Sequence, residues 1–165
     1  MTRTLSASGV AVALTLLAAG CSPPQLALVA IGKGADRDVR ALLRPCADDD
    51  RYRVSVTAAL KDEPTDTAVL DGWGTRPSAS ITGEQEISLF RPPRSWIDTP
   101  GSATQLAPGV DYFVHFFVGH GDTVRYSGFT AFERADLKRL SPGQWLVDGK
   151  TMTRAEFETH VDDVC

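Results

Sequence analysis

The chain has 165 residues, 42% of them hydrophobic, with 17 Lys+Arg against 21 Asp+Glu and a formal net charge of −4. That length suits one domain able to bury most of a core unaided. The acidic balance argues against nucleic acid or an anionic membrane surface as an electrostatic partner.

The N-terminus reads MTRTLSASGVAVALTLLAAGC. Arg3 precedes an apolar run from Val10 to Ala19, and no acidic residue occurs before Asp36. The run falls short of the roughly 20 apolar residues that span a bilayer, but it has the length and flanks of a secretory signal. Leu17-Ala18-Ala19-Gly20-Cys21 resembles a lipobox, with Ala18 where leucine is more usual. The resemblance implies that residues 1–20 are removed and that Cys21 becomes a diacylglyceryl thioether, further acylated, at the cell membrane. Loss of Arg3 would take Lys+Arg from 17 to 16 against 21 acids, a side-chain balance of −5, so attachment would come from lipid and not from a basic patch. Residues 21–25 then form a lipidated tether, its Ser22-Pro23-Pro24-Gln25 segment extending about 12 Å.

Short β-type runs between turn clusters follow. LALVAIG (26–32) is apolar, VRALLRPC (39–46) ends at the charged turn ADDD, and YRVSVTAAL (52–60) alternates Tyr52, Val54 and Val56. TAVLDGW (67–73), EISLF (86–90), YFVHFFVG (112–119), VRYSGFTAF (124–132) and QWLV (144–147) read as further strands, with GHGD (119–122) as a hairpin turn. In YFVHFFVG, Val114, Phe116 and Val118 share the inward face with Tyr112, while Phe113, His115 and Phe117 take the other. Only the end looks helical: Thr153 and Glu156 have capping-box spacing, and Ala155, Phe157, Val161 and Val164 make a loose apolar face. Seven or eight strands and a short C-terminal helix predict a mainly β domain over 26–165, an antiparallel β-sandwich.

Within LAPGVDY (106–112), Leu106, Pro108, Gly109 and Tyr112 resemble the tyrosine corner of fibronectin type III and immunoglobulin-like sandwiches. The resemblance implies a Pro108-Gly109 turn between sheets and a buried Tyr112 whose hydroxyl bonds upstream backbone. The chain as a whole is similar to uncharacterised actinobacterial lipoproteins with this domain type, through the leader, RPC (44–46), ISLFRPPRSW (87–96), LAPGVDY and FERADLKRLSPGQWLV (132–147). The absence of Asn and the excess of Arg over Lys match a GC-rich genome. The resemblance brings no catalytic residue.

Three cysteines occur. With Cys21 consumed by lipid, Cys46 and Cys165 remain, and outside the cytoplasm such a pair is expected to bond. The bridge would close a loop of roughly 120 residues, worth about 4–5 kcal/mol on chain entropy, and tie down the tail.

No phosphate loop, GxSxG or HExxH motif is present. His115 reads as a hydrogen-bonded sheet histidine, and His120 with Asp122 falls short of a metal site. Glu156 and His160 read as a solvated helix pair, and Asp48-Asp49-Asp50 as a charged turn that lacks the ligand spacing of a calcium loop. Trp73 and Trp145 suit the core or its rim, whereas Trp96 in RPPRSWIDTPG is the expected exposed contact residue. The expectation is a non-enzymatic, lipid-anchored extracytoplasmic domain, without cofactor, with a binding or structural role toward a protein or cell-envelope component, through the Pro-rich 91–101 loop and the sandwich-end turns. The alternative is a small-molecule or metal-binding lipoprotein serving an envelope transporter.

Overall fold

A computed structural model describes residues 22–35, 38–61, 69–76, 81–97, 105–120 and 123–165. The leader and Cys21 therefore lie outside the described residues, as do Gly121 and Asp122 of the GHGD turn. The strands are β1 (Gln25–Leu26), β2 (Val29–Lys33), β3 (Val39–Leu43), β4 (Tyr52–Leu60), β5 (Val69–Gly74), β6 (Gln85–Ser88), β7 (Val110–His120) and β8 (Thr123–Glu133). Helix α1 (Arg134–Arg139), the hairpin β9 (Gln144–Val147) and β10 (Lys150–Thr153), and helix α2 (Arg154–Val164) follow.

Among the described residues the strands form two five-stranded sheets. The front sheet has the order β1-β8-β7-β4-β5 and the back sheet β10-β9-β2-β3-β6. All pairings are antiparallel except β1 with β8. The chain is mainly β, and its sheets pack as a sandwich.

Period-2 alternation places the front-sheet core. Tyr52, Val54 and Val56 of β4 and Tyr112, Val114, Phe116 and Val118 of β7 are buried, while their sequence neighbours are exposed or half-buried. Phe116 meets Tyr52 edge-on, with ring centroids 4.5 Å apart, a preferred aromatic geometry. Thr130 of β8 is fully buried in this core, and its Oγ1 has no hydrogen-bond partner among the described residues. A buried unpaired hydroxyl is destabilising. Thr130→Val is therefore expected to stabilise the domain by about 1 kcal/mol, measured by urea unfolding.

LALVAIG, expected as one strand, is two. Gln25 and Leu26 pair with Ser127 and Gly128 of β8, and the chain then crosses to the back sheet, where Val29–Lys33 pairs with β3. Val29, Ala30 and Ile31 are all fully buried, because the front sheet covers one face of β2 while α2 lies across the back sheet's other face. VRALLRPC is likewise shorter as a strand, ending at Leu43.

The Thr153–Glu156 capping box is in place: Thr153 Oγ1 accepts from the Glu156 N–H at 3.3 Å and Glu156 accepts from the Thr153 N–H at 2.7 Å. Phe157 and Val161 bury the inner side of α2. Arg154 bonds Glu84 and lies 3.4 Å from Glu86, and Arg44 holds Asp162 at 3.0 Å, so ion pairs fasten the helix to β3, β6 and the segments beside them. The Glu156–His160 surface pair does not form. Glu156 turns back to the cap, and His160 Nε2 is buried without a partner among the described residues.

Helix α1 and strand β10 have no counterpart in the sequence reading. Six residues with Leu137 as their single buried side chain give α1 no periodic face to detect. Its start is fixed by Asp136, whose carboxylate accepts from the Glu133 N–H at 2.8 Å.

Candidate functional site

On the outer face of the front sheet, His115 lies between Ser55 of β4 and Phe129 of β8. One register step away, Phe113 lies between Thr57 and Ala131; on the other side, Phe117 lies between Arg53 and Ser127. The same alternation that buries Phe116 must turn its neighbours outward. The His115 ring stacks on Phe117 with centroids 5.7 Å apart and planes 5° from parallel, and its centroid lies 4.7 Å from that of Phe129. Phe113 stacks on Phe129 at 6.2 Å. Three phenylalanines and one histidine thus form a half-buried ridge in the middle of the sheet.

Beside the ridge runs a groove of about 320 Å³, lined by Arg53, Ser55, Gly74, Thr75, Phe117 and Val124. It offers an aromatic face, two hydroxyls and a guanidinium, a set that binds by ring contact and hydrogen bonding. Ser55 and His115 are cross-strand neighbours, but no hydrogen bond joins them; the imidazole packs against rings. Desolvation holds the His115 imidazole below its ordinary pKa, so the ridge is uncharged at neutral pH. A folded pKa below the unfolded one means that stability is fully present above the ordinary imidazole range and is lost as pH falls through the folded value. His115→Leu should accordingly flatten the change in melting temperature between about pH 7 and pH 5, compared with the parent chain. An unaltered pH profile would show that His115 titrates without consequence.

The second polar cluster lies at the end of the sandwich where β7 meets β8. Asp50, expected in a charged turn, is buried at 7% exposure, while Asp48 and Asp49 remain exposed. The hydroxyl of Tyr126 and the guanidinium of Arg125 both donate to its carboxylate. Tyr126 Oη in turn accepts the Cys46 N–H at 2.9 Å. Burial tends to raise the Asp50 carboxyl, but the bonds from Tyr126 and Arg125 outweigh it and hold it below the ordinary range. Burial, then the bond to Asp50, pushes the Tyr126 phenol up. The Cys46 and Cys165 sulfurs lie at bonding distance, with Cα atoms 5.4 Å apart, so one end of the sandwich holds both the cross-link and this network.

Trp73 is core, its indole N–H donating to the Leu89 carbonyl at 2.8 Å. Trp145 covers Gly32, where a Cβ would stand 2.7 Å from its ring. Trp96 is not the open contact residue expected: it is half-buried against the core, and its carbonyl accepts from the Arg76 N–H at 2.8 Å. Residues 98–101 of that loop lie outside the described residues. Tyr112 is buried, and its Oη accepts the Ala107 N–H at 2.8 Å across a turn in which Gly109 has φ +71°, a left-handed conformation suited to glycine. Leu106 packs against the core and Pro108 is exposed.

Among the described residues no three His, Cys, Asp or Glu side chains gather as a metal site, and no helix is long and apolar enough to cross a membrane. The His120–Asp122 pair cannot be placed, since Asp122 and the His120 side chain are outside what is described. No family model, curated protein or solved structure matches this chain.

The ridge was half legible in the sequence. Alternation put Phe113, His115 and Phe117 on one face, but nothing local showed that α2 would pack on the other sheet and not on this face.

Proposed function

We propose that the chain is a lipid-anchored, extracytoplasmic binding domain with a fibronectin type III/immunoglobulin-like fold, non-enzymatic, which engages an envelope protein through the outer aromatic face of its front sheet. The observation that carries the binding surface is the half-exposed ridge of Phe113, His115, Phe117 and Phe129 at the centre of a sheet. Aromatic residues are enriched in interfaces, where they give large contact area at low entropic cost.

Strand order supports the fold assignment. β2-β3-β6 corresponds to strands A-B-E of an immunoglobulin-like sandwich, and β5-β4-β7-β8 to C′-C-F-G. Tyr112 then opens strand F with its hydroxyl on upstream backbone, as a tyrosine corner does. The anchor rests on the LAAGC motif alone, with Cys21 as the lipidated residue.

Two experiments test this reading. A photo-crosslinking residue at Phe117 in intact cells should capture a discrete envelope protein that the same probe at Thr151, on the back hairpin, does not; equal capture, or none, counts against the face. Labelled palmitate should enter the parent chain and not Cys21→Ser, and undiminished label would remove the anchor. The groove along Arg53, Ser55 and Thr75 favours a second reading, a small-molecule-binding lipoprotein that serves a transporter. That reading gains if Gly74→Leu, which fills the groove, abolishes ligand binding while crosslinking at Phe117 persists.

A further inference from the structure

We infer that on the membrane the domain stands on the end that holds the Cys46–Cys165 bond, so that the lipid surface is the partner of that end and the Pro108-Gly109 turn and α1 point away. The inference rests on the lipid anchor at Cys21 proposed above. It is carried by the direction of β1, which is independent of that motif.

Gln25 and Leu26 run parallel to β8 opposite Ser127 and Gly128, and the Ser127 N–H donates to the Pro24 carbonyl at 3.0 Å. Leu26 packs against the core. The tether is thus fastened as a strand from Pro24 onward. Because the pairing is parallel, following the chain back from Gln25 leads toward Thr123, the β7–β8 hairpin end of the sandwich. The same end holds Cys46, Asp48 and Asp49 at the start of β4, and Cys165 at the end of α2. Lys61 and Gly109, which share a backbone hydrogen bond, lie at the other end, where Lys33 also reaches Leu140 beyond α1.

The lengths decide between orientations. Three residue steps separate Cys21 from Pro24, about 10 Å even when fully extended as polyproline. Strand β8 has 11 residues, and ten strand steps span about 33 Å. A leash that short cannot let the α1 end reach the bilayer unless the domain lies flat. This end carries no basic patch: Asp48, Asp49 and Asp163 are exposed, while Arg125 pairs with Asp50 and Arg44 with Asp162. Anionic lipid should therefore not strengthen association, unlike binding through a basic patch, and neutral lipid is the surface for the test.

The test uses full-length lipidated protein in phosphatidylcholine vesicles carrying a headgroup quencher, with a fluorescent amino acid at Asp49 or at Lys138, both exposed. Quenching at 49 is expected to exceed that at 138 by at least about threefold, given the ~30 Å between the two ends. A flexible 12-residue insertion between Ser22 and Pro23 should erase the difference. Equal or reversed quenching in the parent, with protein still floating with the vesicles, overturns the orientation and leaves the anchor standing. Failure to float, with Cys21→Ser behaving identically, overturns the anchor and this inference with it.

Discussion

Replacing Cys46 and Cys165 together by alanine is expected to lower the unfolding free energy by about 2–5 kcal/mol, the largest loss foreseen for any pair of surface-proximal changes. The cross-link joins residues 119 apart in sequence, and chain entropy alone assigns such a loop about 5 kcal/mol as an upper figure. The native fold retains other means of holding α2: Phe157 and Val161 are buried, and Arg154 and Arg44 pair with carboxylates across the gap. These contacts exist with or without the bond, so its removal should act mainly on the unfolded chain. Urea unfolding of the double variant should then show both a lower midpoint and a steeper denaturant dependence, because a chain freed of its cross-link exposes more surface. A loss below about 1 kcal/mol would mean that the cross-linked unfolded chain is no more restricted than the free one.

Asp50→Ala is expected to cost about 1–3 kcal/mol, because it leaves the buried Tyr126 hydroxyl without its charged acceptor. Tyr126 and Arg125 both donate to this carboxylate. Without it the buried phenol keeps its bond from the Cys46 N–H but loses the acceptor of its own proton. The carboxyl is held below its ordinary pKa, so the stability it contributes is present above about pH 4 and lost as pH falls through the lower folded value. The variant should lose that part of the acid sensitivity, seen as convergence of the parent and variant melting temperatures as pH falls toward about 3. Parallel curves that never converge would place the effect in packing. Because Cys46 belongs both to this network and to the cross-link, Asp50→Ala in the cysteine-free background is expected to be non-additive, with a coupling of about 0.5 kcal/mol or more.

What the sequence made legible follows from how each segment is buried. Strands β4 and β7 face core on one side and solvent on the other, so YRVSVTAAL and YFVHFFVG alternate and could be read directly. β2 is enclosed on both faces, so LALVAIG shows a continuous apolar run that hides its passage between sheets at Ala27 and Leu28. Asp50 looked like part of a charged turn because its partners, Arg125 and Tyr126, lie 75 and 76 positions away. Trp96 looked open because a Pro-rich loop implies surface, but pairing of Thr75 with Ile97 pins that loop to the end of β5. Non-local contacts of this kind leave no trace in a window of ten residues.

The 119-residue separation of Cys46 and Cys165 also has a consequence in time. At about 5–20 residues per second, Cys46 emerges roughly 6–24 s before its partner. Throughout that interval its thiol is unclaimed while β4, β5, β7 and β8 are made. The bond closes only after α2 exists, so oxidation reports that the whole sandwich has been synthesised. Any thiol-exchange enzyme acting on this chain would meet Cys46 without Cys165 first, and the cross-linked domain second.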